Sequence, residues 1–161
     1  MPRTRVQMTA DVVQFLSGAG TDHRGRALED ILAWPDHRLE IRHDYIQWLF
    51  PLSVPSTAVL GAPVLSVADI EAIRGDATAQ RNLLRAVDRM RLFYAQSPHW
   101  LTPNNHNHLR ITRIISSLHQ LGQPDAARDF YDFVKAKADA EPGSVTSRTR
   151  EFWEKAVQGR H

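Results

Sequence analysis

Eight histidines in 161 residues make metal binding and acid–base work the first chemistry to test. His106 and His108 sit inside the run Asn104-Asn105-His106-Asn107-His108, and His43 stands beside Asp44. A zinc site needs three or four ligands converging at about 2 Å. His106 and His108 supply two, with His99, His43 or Asp44 as the remaining candidates. No HExxH and no pair of histidines four residues apart supports such a site. The letters H-N-H invite a nuclease reading, but that site needs a strand–strand–helix frame, and no strand pattern is present. Hydrogen bonding is therefore the expected work of these histidines, with no metal and no cofactor.

The same segments are nonetheless polar beside very apolar neighbours. His43, Asp44, Gln47, Asn105, Asn107, His108, Arg110 and Arg113 would form a convergent patch suited to a ligand or partner if the two segments touch. Structural cross-bracing by the same side chains is the alternative. Arg81, Arg85 and Arg89 recur every four residues and so share a helix face, where they serve ion pairs or, on the sharper reading, phosphates. Aromatic residues for base stacking are not interleaved with them. There is no GxSxG, phosphate loop or dinucleotide fingerprint. Catalysis has no positive signature, and the chain is expected not to be an enzyme.

The elements that must position these residues read as helices throughout. Val12, Phe15 and Leu16 form a short apolar face ending at Ser17-Gly18. Thr21 or Asp22 is placed to cap a second helix carrying Leu28, Ile31, Leu32 and Trp34, stopped by Pro35. Asp36 caps a third, from about Arg38 to Phe50, whose apolar residues surround the axis in its second half, so that half is expected to be buried on most sides. Pro51–Pro63 reads as an extended connection. Ser66 and Asp69 open a short helix ending near Gly75, and Asp76 opens a long one with Leu83, Leu84, Val87, Met90, Phe93 and Tyr94. After a loop over Ser97–Asn105, Asn104 and Asn107 are placed to cap the cleanest amphipathic helix (Ile111, Ile114, Ile115, Leu118, Leu121), which Gly122 and Pro124 end. Ala127, Phe130, Tyr131, Val134 and Ala138 continue in another helix, and Phe152, Trp153, Ala156 and Val157 close the chain. The expectation is one all-α domain over residues 1–161, an irregular bundle of seven or eight helices.

Composition bounds the rest. An apolar fraction of 42% against 24% charged is ordinary for a globular chain. Cysteine is absent, which removes disulfides and thiolate chemistry and fits a reducing, cytoplasmic setting. The N-terminal MPRTRVQMTADVV lacks the apolar core of a secretory signal, and no run approaches the roughly 20 residues of a membrane span. Seventeen of the 20 basic residues are arginine, yet the net charge is only +2, too small by itself to indicate nucleic-acid binding.

Two strings are distinctive. His43-Asp44-Tyr45-Ile46-Gln47-Trp48-Leu49-Phe50-Pro51-Leu52, followed by Asn107-His108-Leu109-Arg110-Ile111-Thr112-Arg113-Ile114 and the Ser117-Leu118…Leu121-Gly122 ending, resemble the conserved N-terminal region of the opioid growth factor receptor family. Glu29-Asp30-Ile31-Leu32 before Trp34, and Leu39-Glu40 before His43, add to the likeness, which runs from about residue 22 to 157. The resemblance implies binding over catalysis. The polar patch would then hold a peptide, a protein or a small polar ligand; nucleic-acid or polyanion association through the Arg81/Arg85/Arg89 and Arg110/Arg113 faces is the alternative, and a metal-assisted enzyme on His106, His108 and a carboxylate the weaker one. It carries no catalytic residues to transfer. The family's vertebrate receptor continues into a long extension with basic and acidic, proline-rich segments. A chain ending at His161, arginine-rich and cysteine-free, is expected to be a short bacterial member, for which an opioid ligand is not assumed.

Overall fold

The computed structural model describes residues 11–56 and 59–160. The basic start of the chain, up to Ala10, lies outside the described residues. Nine α-helices and one 3-10 turn are present among the described residues, with no strand and two isolated bridges. They are α1 (Val12–Ser17), α2 (Leu28–Leu32), α3 (Asp36–Ile41), α4 (Ile46–Leu49), α5 (Val67–Gly75), α6 (Ala77–Gln96), the 3-10 turn Pro98–Trp100, α7 (Asn107–Gln120), α8 (Pro124–Ala140) and α9 (Ser147–Val157). No described helix is long and apolar enough to cross a membrane. Two compact units divide the chain, the first ending at Asn82 and the second beginning at Leu83.

The first unit is built from short helices. Asp11 caps α1, its side chain accepting from Val13 N and Gln14 N, and Gly18 closes the helix at φ 84°, a left-handed conformation that suits glycine. Phe15, Leu16, Leu28, Ile31, Leu39 and Leu49 are fully or almost fully buried. Neither Thr21 nor Asp22 caps α2. Thr21 pairs with Ala27 in an isolated bridge, Asp22 turns inward, and the α2 start is instead held by Asp30 Oδ2, which accepts from Ala27 N at 2.8 Å.

The single helix expected over residues 38–50 is two. Arg42 leaves the helix at φ −85°, ψ 139°, and the chain folds back so that the Tyr45 hydroxyl donates to Leu39 O at 2.7 Å. His43 consequently lies outside any helix and is exposed. The burial expected of the second half does hold, because Tyr45 through Phe50 are all buried. This break accounts for the ninth helix. Ser66 and Asp69 form a reciprocal capping box at α5, and Asp76 Oδ1 accepts from Thr78 N and Ala79 N at the start of α6.

The second unit packs longer amphipathic helices, with α8 and α9 each meeting α7. Ile111, Ile114, Ile115 and Leu118 of α7, Phe130 and Val134 of α8, and Trp153 of α9 are buried together with Phe93, Tyr94 and Trp100. Leu84, expected inside, is partly exposed. The α7 cap also differs from expectation: Asn105, not Asn104 or Asn107, supplies the side-chain oxygen, accepting from Asn107 N at 2.9 Å.

Candidate functional site

In the first unit the loop between α1 and α2 delivers Arg26, which the sequence left unremarked, and Asp22, which it offered only as a helix cap. The Asp22 carboxylate is fully buried and accepts from the backbone of Arg24 and Arg26 at 2.9 and 3.0 Å. Arg26 Nε donates to its other oxygen at 2.7 Å, and Arg26 Nη2 reaches Asp44 Oδ1 at 3.2 Å. The guanidinium also lies over Trp34, 5.1 Å from the ring centroid. Asp44 further faces Arg24 at 3.4 Å and His23 at 3.7 Å. Asp44 is thus committed to two arginines, with His23 beside it. Gln47 is buried, with no hydrogen-bond partner for Oε1 among the described residues, as is Trp48 with its Nε1. Of the three candidates in this segment, one is exposed, one paired and one buried.

In the second unit the candidates are mostly interior. Asn107 is 1% exposed, and His108 and Arg110 are each 5% exposed, so little of them is left for an incoming molecule. Asn107 Oδ1 accepts from the Tyr94 hydroxyl at 3.1 Å and from Arg110 Nη1 at 3.3 Å. His108 Nε2 lies 2.8 Å from Trp100 O, and because a carbonyl only accepts, the ring proton is on Nε2. Trp153 Nε1 donates to His108 O, and Trp100 Nε1 to Tyr94 O. Asn105 is half-buried and reaches His99 O at a long 3.5 Å. Asn107, His108 and Arg110 therefore brace α7 against the 3-10 turn and its neighbours. No group of three or more His, Asp or Glu side chains among the described residues is placed to hold a metal ion.

Burial holds the His108 imidazole below its ordinary value, with the Trp100 hydrogen bond pulling the other way. Unfolded, the ring titrates near 6.5. The folded state then binds the proton less readily, so stability is fully present above about pH 6.5 and is lost as pH falls through the lower folded value. Urea midpoints measured from pH 7.5 to 5 should decline in the wild type and decline less in His108→Gln. Parallel curves would exclude this account.

The arginines divide. Arg81 and Arg85 are exposed, Arg81 donating to Thr78 Oγ1 at 3.2 Å. Arg89 turns partly inward on the same helix. Arg113 is half-buried, and desolvation pulls its guanidinium down to about 10, still protonated at neutral pH.

A groove of about 600 Å³, which sequence reasoning missed, opens on this unit, lined by Arg91 of α6 and by Asp129, Asp132, Phe133, Ala136, Lys137 and Ala140 of α8. Phe133 is half-buried at its floor. Arg91 stands 4.9 Å and Lys137 5.9 Å from the ring centroid. Among the described residues, Asp129, Asp132, Arg91 and Lys137 form no ion pair. Asp129 and Lys137 are eight residues apart on one helix, which separates them by about 12 Å along the axis. Small side chains at Ala136 and Ala140 keep the groove open. The only sequence signal was Phe133 among charged neighbours, where a core helix would present a polar residue.

Residues 24–99 match the opioid growth factor receptor conserved region. The chain is 39% identical to the opioid growth factor receptor of Rattus norvegicus over 119 residues, covering 61% of this chain and 20% of that protein. It is 32% identical to the Homo sapiens receptor over 165 residues, 85% of this chain and 24% of that one. Against the mouse opioid growth factor receptor-like protein 1 the figures are 32% over 121 residues, 65% and 26%. The chain thus spans about a quarter or less of the length of these relatives. No solved structure matches it.

Proposed function

We propose that this chain, which belongs to the opioid growth factor receptor family through its conserved region, is a binding module that holds a short peptide and performs no catalysis. The observation that carries the reading is the groove at Phe133, where two carboxylates and two cations line an open surface without pairing to one another. An ammonium fits against Asp129 and Asp132, a carboxylate fits against Arg91 and Lys137, and an aliphatic stretch covers Phe133, Ala136 and Ala140. Four extended residues reach at most about 13–14 Å, enough to span the roughly 12 Å of helix axis between Asp129 and Lys137. The relatives' names support a ligand, since a receptor has one. The sequence-derived patch at His43, Asp44, Gln47, Asn105, Asn107, His108, Arg110 and Arg113 contributes less, because its members are largely engaged in internal bonds.

Tetraalanine with free ends tests the reading. It should shift the NMR resonances of Arg91, Phe133 and Lys137, and N-acetyl, C-amide tetraalanine should do so at roughly two- to fivefold lower affinity, the scale of one or two exposed ion pairs. Lys137→Glu should weaken the free peptide and leave the blocked one unchanged. Equal binding of the two peptides, or shifts confined to other surfaces, would remove the groove from the account.

A further inference from the structure

The groove floor is connected to the interior by a chain of contacts that ends in the polar residues first singled out in the sequence. Phe133 lies 6.3 Å from Phe130, ring centroid to centroid, and Phe130 lies 6.2 Å from Tyr94. The Tyr94 hydroxyl donates to Asn107 Oδ1, and Arg110 donates to the same oxygen. Tyr94 and Phe130 are each 1% exposed, so neither ring can tilt without displacing neighbours. Tyr94 has a second tether, because its carbonyl accepts from Trp100 Nε1 at 2.9 Å.

We infer that Tyr94 is a positioning residue for the groove: its hydroxyl, anchored on Asn107, fixes the tilt of Phe130 and thereby the height and angle at which Phe133 presents itself between Arg91 and Lys137. A ring at the floor that swings would carry the Arg91 and Lys137 contacts with it, since both cations lean on its face. The Asn107–Arg110 pair then acts on the ligand from a distance, without touching it. This explains why polar residues so deeply buried accompany an exposed groove, and it rests on the binding reading above only for its second readout.

Tyr94→Phe removes one hydroxyl and keeps the ring. The first readout needs no ligand: the Phe133 ring resonances should move and broaden in Tyr94→Phe, and the affinity for free tetraalanine should fall roughly two- to tenfold, the worth of one hydrogen bond. Thr112→Val is the control. It removes another internal hydrogen bond of α7, from Thr112 Oγ1 to His108 O, an acceptor distinct from the Asn107 Oδ1 that anchors the Tyr94 hydroxyl, and should leave both readouts at wild-type values. A double-mutant cycle of Tyr94→Phe with Phe133→Leu should show non-additive losses. Unmoved Phe133 resonances in Tyr94→Phe, or an equal response to Thr112→Val, would overturn the inference. If the wild type fails to bind tetraalanine while the Phe133 resonances respond as stated, the binding reading falls and the positioning role stands.

Discussion

Arg26→Met is expected to destabilise the protein by roughly 3–5 kcal/mol, the cost of stripping one partner from a buried ion pair. The variant keeps an apolar side chain and loses the guanidinium, together with its contact over the Trp34 ring. What remains is the fully buried carboxylate of Asp22, deprived of its 2.7 Å partner. Two backbone N–H groups still serve it, which places the loss toward the lower end of the range. Asp44 loses one of its two arginine neighbours as well. Urea unfolding of the single variant and of Asp22→Asn/Arg26→Met checks the cause. The double variant should recover part of the loss, because no uncompensated charge is left inside. A single variant within about 0.5 kcal/mol of wild type would mean that this cluster is a surface ornament.

Trp48→Ala should cost about 3–5 kcal/mol, the usual loss on truncating a buried aromatic ring. The ring is 3% exposed, meets Phe15 edge-on at 5.6 Å and stacks on His23 at the same distance with the planes 7° apart. Trp48→Phe separates two contributions. It retains most of the apolar volume and deletes the indole N–H, which has no partner among the described residues. Removing an unsatisfied donor is close to neutral, so the phenylalanine variant should lose only the smaller ring's missing contacts, about 1 kcal/mol. If both substitutions cost the same, the N–H is satisfied by something, and the burial account of this helix is incomplete.

The periodic helices were legible because their information is local. Ile111, Ile114, Ile115 and Leu118 recur at the helical period and are all buried. Ser66 and Asp69 announce a capping box in four residues. The division of residues 38–50 into two helices was not legible, since nothing between Arg38 and Phe50 is a glycine or proline. The break is written in tertiary contacts: Tyr45 to Leu39 across the turn, and Arg26 to Asp44 from 18 residues away. Asp22 looked like a helix cap because the residue type is right for one, and only the fold reveals that its carboxylate is spent on Arg26. The polar set Asn107, His108 and Arg110 was visible as a composition anomaly, but composition cannot say whether a polar residue points out or braces the inside. The groove was invisible for a different reason. It depends on a tertiary contact between α6 and α8, which places Arg91 over Phe133 across more than forty residues of chain.

The scarcity of lysine turns one wall of the groove into a chemical reporter. The three lysines, Lys135, Lys137 and Lys155, all lie in the second unit. Lys135 donates to Asp139 at 2.9 Å, and that hydrogen bond raises its pKa and keeps its nitrogen protonated to higher pH. Lys137 leans on Phe133 without an ion pair. An acylating reagent that consumes free amines therefore meets few side chains in this protein, and one of them stands in the path of any molecule lying along the groove. Mass-spectrometric readout of acylation at Lys137, with Lys155 as internal standard, measures occupancy of that surface without knowing the occupant.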